Sequence, residues 1–222
     1  MTNPLITISN PRSPIAEAYR ALRTNLEFSN LDKSLRALLV TSAGAEEGKS
    51  TTLANLAVTI AQSGKRVILA DADLRRPTQH QIFELKNNAG LTDMARDDAL
   101  LAAPPLQDSG VPNLQILTSG QLPPNPAEIL GSKRMSEILV ALLERADLIL
   151  FDAPPVLAVT DAVVLSAKMD GVLLVVSAGK TKRENAKKAR AQLEKINARI
   201  LGAVVNNVKA EKGASYYYAE SN

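Results

Sequence analysis

The sequence contains no cysteine and no tryptophan, and its one histidine is His80. The lack of cysteine excludes disulfides, thiolate nucleophiles and cysteine-bound zinc or iron–sulfur clusters. A lone histidine is more often a packing or capping residue than a catalyst, so His80 is not included in a candidate site. These absences leave carboxylates, basic side chains, hydroxyls and backbone groups to carry chemistry.

Aromatic residues and long apolar runs are also scarce. Aromatics make up 3% of the 222 residues although 45% are hydrophobic, so alanine, valine, leucine and isoleucine must build the core. No run approaches the roughly 18 apolar residues of a membrane span, and the first residues lack a signal-peptide core. We therefore expect one α/β domain in a cytoplasmic protein.

The charge is close to balanced, with a formal net value of +3. Much of the positive charge lies between residues 180 and 199, where no aromatic residues are interleaved for base stacking. This pattern is typical of a solvated helix face, and we expect no nucleic-acid partner.

The most informative stretch is residues 36–52, RALLVTSAGAEEGKSTT. An apolar run at 37–40 predicts a buried strand, and helical spacing begins at Leu53, so the intervening loop has the context of a phosphate-binding P-loop. Backbone N–H groups and the start of the helix would form an anion site there. The first glycine position of the standard pattern holds Ala43 instead. The candidate nucleotide-binding residues are Gly44, Ala45, Glu46, Glu47, Gly48, Lys49, Ser50 and Thr51.

Three aspartates follow predicted strands. Asp71 and Asp73 come after an apolar run at 66–70, and Asp152 closes the run at 147–152 in a Walker B pattern. The carboxyl ends of parallel strands bind ligands, so these acids could hold Mg²⁺ or accept a proton. A turn with a helix-capping aspartate is the simpler alternative for the pair, but it explains one of the two acids more easily than both.

The remaining pattern alternates strands with helices, which predicts a mostly parallel sheet flanked by helices. We expect an extended arm over 1–12, a helix over 13–28, a loop at 102–108 and a helix over 181–198, with strands at 114–117, 172–176 and 200–206. The predicted layout is an N-terminal arm and helix (1–30), one main domain (31–208) and a flexible tail (209–222). Three of the four tyrosines lie in that tail, at Tyr216, Tyr217 and Tyr218.

One row of charges stands out in the N-terminal helix. Glu17, Arg20 and Arg23 are spaced three apart and so share one side of the helix. They could contact another subunit, or they could form an ordinary solvated face.

Together these segments resemble the bacterial tyrosine kinases of capsular and exopolysaccharide systems, in the separate cytoplasmic form whose membrane-spanning adaptor is another polypeptide. The resemblance rests on AGAEEGKSTT, VILADADLRRPTQHQIF, SGQLPPNPAEIL and LILFDAPPVLAVTDA, in order and at matching distances. It implies a MinD/ParA-like P-loop NTPase fold, ATP as donor and Mg²⁺ as cofactor. It further implies ring-like homo-oligomers through Glu17, Arg20 and Arg23, and autophosphorylation of Tyr216, Tyr217 or Tyr218. The implied partner is a transmembrane adaptor of the polysaccharide co-polymerase type, which recruits the kinase to the inner face of the plasma membrane and acts with it in polysaccharide synthesis or export.

Two departures from the family pattern are visible. The tail carries three tyrosines where many relatives carry more, and the loop residues Ala45, Glu46 and Glu47 replace a Pro/Gly-rich stretch. Related partitioning ATPases carry lysine at the second P-loop position, where this chain has Gly44, and iron–sulfur carriers of the superfamily need cysteines.

Roles can be assigned on this basis. Lys49 would neutralise the β- and γ-phosphate oxygens, and Ser50 would ligate Mg²⁺ with support from Asp73 and Asp152. Asp71 is the candidate that orients the tyrosine hydroxyl and takes its proton. Asn206 or Asn207 could contact the adenine edge. Two alternatives stay open at this stage: an ATPase switch with water as the acceptor, and a nucleotide-bound scaffold that transfers no phosphate.

Overall fold

The structure is a computed structural model that describes residues 5–28 and 34–209. The tail tyrosines, Tyr216 to Tyr218, lie outside the described residues. So do the first four residues and the end of the predicted N-terminal segment at 29 and 30.

A seven-stranded sheet forms the centre of the described chain, in the order β3-β4-β2-β5-β1-β6-β7. Six strands are parallel, and the short β3 is antiparallel to β4. The strands are β1 (Ala37–Ser42), β2 (Val67–Asp71), β3 (Gln107–Asp108), β4 (Leu114–Leu117), β5 (Leu148–Asp152), β6 (Gly171–Ser177) and β7 (Ile200–Asn206). The predicted α/β class and the mostly parallel sheet are thus confirmed.

Helices cover both faces of this sheet, which is why its central strands are apolar throughout. Alternate residues of a strand face opposite layers, so Leu39 and Phe151 belong to one core and Leu38 and Leu150 to the other. The helices are α1 (Ile6–Ser9), α2 (Pro14–Phe28), α3 (Lys49–Gln62), α4 (Gln79–Ile82), α5 (Leu91–Met94), α6 (Ala99–Ala102), α7 (Pro126–Gly131), α8 (Lys133–Leu143), α9 (Asp161–Ser166) and α10 (Arg183–Glu194). Helices α2 and α3 pack on the core that contains Leu38, whereas α8, α9 and α10 pack on the core that contains Leu39.

The expected extended arm at the N-terminus is partly wrong, because Ile6–Ser9 form a helical turn. Tertiary contacts explain this turn: Leu5 is buried, and the backbone N–H and hydroxyl of Thr7 both donate to Oδ1 of Asn55, at 3.1 and 2.9 Å. The expected start of α2 is confirmed, since Ser13 Oγ accepts a hydrogen bond from the Ala16 N–H at 3.1 Å.

Several other elements were not predicted, among them β3, α4, α6 and α9. The last residues of the expected loop at 102–108 pair with β4 as β3, and α9 follows β5 where the sequence predicted no helix. Within the described ranges, no helix combines the length and apolar character needed to cross a membrane.

The strand registers position the candidate site. Asp71 of β2 lies directly beside Asp152 of β5, and β5 is in turn paired with β1, which leads into the P-loop. The carboxyl ends of the three central strands therefore meet at one edge of the sheet, as the sequence predicted.

Candidate active site

The P-loop (residues 43–51) turns sharply from β1 into α3. Gly48 precedes the helix with φ +83°, a left-handed conformation that favours glycine. A Cβ atom at Gly48 would lie 2.0 Å from Nδ2 of Asn206, so a larger residue would also have to displace that side chain. This turn into a helix start is the local geometry that a P-loop anion site requires, and anion binding there stays a prediction.

The side chain of Glu47 folds back onto the P-loop and stabilises it. Its buried carboxylate accepts hydrogen bonds from the Gly44 N–H at 3.0 Å and from the Thr181 hydroxyl. The side-chain amide of Asn206 donates to the Glu47 carbonyl at 3.1 Å. The Gly44 N–H thus binds Glu47, and Asn206 supports the P-loop. The predicted contacts of Gly44 and Asn206 with a nucleotide stay predictions.

Glu46 occupies the exposed side of the loop in a strained conformation. Its φ is +57°, although it is not glycine, and Nζ of Lys180 lies 3.1 Å from both its carbonyl oxygen and Oε2. A left-handed residue with a Cβ costs about 1–2 kcal/mol. The acidic loop therefore combines backbone strain with an ionic contact to the β6–α10 loop.

Lys49 lies between two of the predicted acids. Its Nζ is 3.0 Å from Oδ2 of Asp73, 3.0 Å from Oδ1 of Asp152 and 3.1 Å from Oγ of Ser50. Burial lowers the pKa of Lys49, but the charges of Asp152 and Asp73 outweigh that effect and hold the pKa above its ordinary value. The ammonium group is therefore charged, and the four predicted residues do come together.

Asp71 lies behind this group and is fully buried. Its Oδ2 accepts from the N–H groups of Thr78 and Gln79, each at 2.9 Å, and its Oδ1 from the Asp73 N–H at 3.2 Å. Burial, with the nearby charge of Asp152, raises the pKa of Asp71 from 3.8 to about 8 against these hydrogen bonds. Asp71 therefore shapes the loop after β2 and can also change its protonation near neutral pH.

Gln79 is a site residue that the sequence analysis missed. Its side-chain N–H₂ donates to Oδ2 of Asp152 at 2.8 Å and to the Ser50 carbonyl at 3.2 Å. Since both partners are acceptors, the amide orientation is fixed, and Oε1 has no partner within the described chain. Glutamine at a helix start carries no sequence signal for such a role.

A second missed residue is Asp161, the first residue of α9. It is fully buried, and the Arg75 guanidinium donates to its two oxygens at 2.9 and 3.1 Å. This bidentate pair joins the loop that carries Asp73 to the element after β5. The sequence did carry a signal for Asp161, since it is the last aspartate of the segment LILFDAPPVLAVTDA that supports the family resemblance.

The site opens into a cavity of about 400 Å³. Its walls come from the P-loop, the loop after β2, helix α4 and the turn after β5. The lining residues are Ala45, Glu46, Glu47, Gly48, Lys49, Ser50, Thr51, Asp73, Arg76, Thr78, Gln81, Ile82 and Pro155.

The donor set fits Mg²⁺. No group of three or more histidine, cysteine or acidic side chains suited to a metal occurs among residues 5–28 and 34–209. Magnesium, however, usually takes one or two carboxylates together with water and substrate phosphates. Ser50, Asp73 and Asp152 already surround one cation, the Lys49 ammonium group, so the same oxygens can hold a metal ion.

The predicted oligomerisation residues are not equally free. Glu17 and Arg20 form an ion pair of 2.6 Å on the surface, and Arg20 also donates to the Pro11 carbonyl. Arg23 instead donates to the Thr59 carbonyl of α3 at 3.1 Å. The predicted contact with another subunit stays a prediction, and the structure gives Arg23 a role within its own chain.

Tyr19, the fourth tyrosine of the chain, lies near the P-loop helix. Burial raises the pKa of Tyr19, and a hydrogen bond with Thr52 partly opposes that shift. The residues expected to accept phosphate lie outside the described chain.

Comparisons with known proteins agree with the fold described above. The ParA family profile, described as NUBPL iron-transfer P-loop NTPase, matches residues 34–215. Tyrosine-protein kinase YwqD of Bacillus subtilis is 44% identical over 218 residues, which cover 98% of this chain and 92% of YwqD.

Two solved structures are similar over most of the chain. The chimerical protein CapA2B2 superposes with a TM-score of 0.89 at 35% identity, covering 95% of this chain and 92% of that one. The kinase domain of the Escherichia coli tyrosine kinase ETK has a TM-score of 0.88 at 33% identity, covering 97% and 84%. The iron transfer in the profile's description is a property of the proteins it describes, and this chain contains no cysteine. The chain belongs to the bacterial tyrosine-protein kinases, within the ParA-like P-loop NTPases.

Proposed function

We propose that this protein is an ATP-dependent protein-tyrosine kinase that phosphorylates Tyr216, Tyr217 or Tyr218 of its own tail. The observation that carries the proposal is the contact of Lys49 with Asp73, Asp152 and Ser50 at the mouth of the P-loop. A cation, two carboxylates and a hydroxyl beside an anion site are the parts that phosphoryl transfer requires. Membership of a family of tyrosine kinases supports tyrosine as the acceptor.

Binding of ATP is assigned to the P-loop. Its backbone N–H groups and the N-terminus of α3 would hold the phosphates, and Lys49 would neutralise their β and γ oxygens. Ser50, Asp73 and Asp152 would hold Mg²⁺. The metal would supply positive charge against the phosphate oxygens and so stabilise the charge that develops during transfer.

The transfer itself makes one bond and breaks one. The tyrosine oxygen forms a bond to the γ-phosphorus, while the bond from that phosphorus to the bridging oxygen breaks and ADP leaves with its electron pair. The phenol proton must go to a base, since free tyrosine has a pKa of about 10. We assign that role to Asp71, the buried carboxyl group behind Lys49, which must be ionised to accept the proton.

The cellular setting is proposed from the family resemblance. A ring-like homo-oligomer would hold one subunit's tail at the site of its neighbour. A transmembrane adaptor would recruit the kinase to the inner face of the plasma membrane, where the pair would regulate capsular or exopolysaccharide synthesis or export. The exposed ion pair of Glu17 and Arg20 is available for the contact between subunits.

The test is incubation of the full chain with Mg·ATP, followed by phosphotyrosine detection and mass-spectrometric mapping. We expect phosphate on the tail tyrosines and none on Tyr19, with Lys49→Met and Asp71→Asn both strongly impaired. Release of phosphate without tyrosine labelling would favour an ATPase switch instead. Nucleotide binding with neither reaction would favour a scaffold.

A further inference from the structure

Arg76 lines the same cavity as Lys49 and Ser50. Its backbone N–H donates to Oδ1 of Asp73 at 3.0 Å, while Oδ2 of Asp73 binds the Lys49 ammonium group. Asp73 thus fixes both cationic residues of the cavity, one through its backbone and one through its side chain. Arg76 is exposed, so its guanidinium can move toward a bound phosphate.

The neighbouring arginine is occupied. Arg75 donates through two nitrogens to the buried carboxylate of Asp161, which holds its side chain in a fixed position. By contrast, the Arg76 side chain makes no ion pair or hydrogen bond with the described residues, and Arg76 contacts Asp73 through its backbone N–H alone. Arg75 therefore has a structural role, whereas the side chain of Arg76 is free to bind a ligand.

The charges that line the cavity are unbalanced. Three are acidic, Glu46, Glu47 and Asp73, and the two cations are Lys49 and Arg76. Lys49 is shared between Asp73 and Asp152, Glu46 is paired with Lys180, and Glu47 is bound by Gly44 and Thr181. Arg76 is therefore the charged lining residue whose side chain is uncommitted within the described chain.

A triphosphate brings several negative charges into this acidic cavity, and phosphoryl transfer depends on compensating them. We propose that Arg76 binds the γ-phosphoryl group of ATP and stabilises the charge on its oxygens during transfer. The planar guanidinium suits this task, because it can donate two parallel hydrogen bonds to phosphate oxygens. This inference rests on the proposed phosphoryl transfer and adds a catalytic residue to the same site.

The kinetic test compares Arg76→Ala, Arg76→Lys and the wild type in initial autophosphorylation rates over a range of ATP concentrations. Loss of one such donor typically lowers kcat by about 10²–10³-fold, so we expect at least a 100-fold loss in kcat for Arg76→Ala with KM within about 3-fold. Arg76→Lys should recover part of the rate but not the bidentate contact. Arg96→Ala is the matched control, since Arg96 is also exposed and lies outside the cavity.

A binding test needs no acceptor and so separates this inference from the tyrosine assignment. Mg·ADP with aluminium fluoride mimics the transferring phosphoryl group, and calorimetry can compare its affinity with that of Mg·ADP alone. The wild type and Arg96→Ala should gain affinity from aluminium fluoride, and Arg76→Ala should lose most of that gain. Suppose that the wild type makes no phosphotyrosine, and that Arg76→Ala still loses the affinity gained from aluminium fluoride. That result would uphold the role of Arg76 and overturn the kinase assignment.

Two results would overturn the inference while leaving the kinase standing. One is a kcat of Arg76→Ala within about 3-fold of the wild type. The other is an unchanged gain with aluminium fluoride in that variant. Thermal unfolding of each variant checks that the exposed substitution leaves the fold intact.

Discussion

At the residue scale, the site is held together by a lysine that shares its oxygen partners with the expected metal. Lys49 contacts Asp73, Asp152 and Ser50, and Asp152 has its second oxygen held by Gln79. The sequence predicted that Lys49 and the acids share one site, because P-loop and strand-end patterns fix their places in the fold. It could not predict Gln79, since that role depends on a distance between α4 and β5 that no local pattern encodes.

The first prediction follows from this sharing. Lys49→Met should abolish autophosphorylation and should also lower thermal stability in the absence of magnesium, by about 5 °C or more, because Asp73 and Asp152 lose a buried cation. Magnesium should restore part of that loss and should raise the melting temperature of Lys49→Met more than that of the wild type. Thermal unfolding with and without Mg²⁺ measures this.

Lys65→Met is the control for that experiment, as Lys65 forms a half-exposed ion pair with Glu27 away from the cavity. Its stability should change by less than about 1 kcal/mol, the usual limit for such pairs. An equal response of Lys49→Met and wild type to magnesium would show that the metal does not use these carboxylates.

The strained loop residue gives the second prediction. Glu46 has φ +57° and pairs with Lys180. Glu46→Gly and Glu46→Ala both remove the ion pair, but only glycine removes the Cβ, so the glycine variant should be more stable by about 1 kcal/mol. Urea unfolding of the two variants measures the difference. A more stable alanine variant would mean that the loop relaxes out of this conformation.

At the element scale, strong apolar periodicity was predictable and tertiary contacts were not. The predicted strands and the P-loop helix are present, since each forms a buried run between loop signals. The helical turn α1 escaped prediction because it forms against Asn55, which is distant in sequence. The strand β3 escaped because its two residues gain their partners only from β4.

The third prediction concerns the link between two elements. Arg75 and Asp161 join the loop after β2 to helix α9, so a double-mutant cycle with Arg75→Lys and Asp161→Asn should give a coupling energy of about 0.5–3 kcal/mol. Arg75→Lys keeps the charge but loses the fork geometry, and so it should be less stable than the wild type. Urea unfolding of the four proteins measures the coupling.

The same substitutions should also reduce phosphoryl transfer, because Asp73 lies on the loop that this pair anchors. Arg66→Lys is a suitable comparison, since Arg66 forms an exposed pair with Asp147 at the other end of β2. Additive stability changes in the cycle, or transfer rates like those of Arg66→Lys, would leave the pair without a role in holding the site.

At the scale of the whole molecule, the length of the tail bears on assembly. Six residues separate Lys209 from Tyr216, so the first acceptor lies within about 25 Å of the end of the described chain. Transfer to a neighbour's site then needs subunits held close together. The predicted row Glu17, Arg20 and Arg23 is the proposed contact, but Arg23 binds α3 of its own chain. Replacing all three residues with alanine would therefore change both assembly and stability, and the two effects could not be told apart.

The fourth prediction separates these effects. Replacing Glu17 and Arg20 together with alanine removes an exposed ion pair and the exposed hydrogen bond from Arg20 to the Pro11 carbonyl, and should give monomers of little changed stability that label poorly at low concentration. Arg23→Ala should lower stability, because it removes the hydrogen bond to α3, so it serves as the comparison in thermal unfolding.

Phosphorylation should also affect assembly. Each phosphate adds about −1.5 to −2 charges to a tail, so phosphorylation should loosen an assembly of crowded tails. Light scattering on Lys49→Met against ATP-treated wild type should then show the larger mass for Lys49→Met. Identical masses, or efficient labelling by the double variant at high dilution, would contradict transfer between subunits and leave the kinase assignment in place.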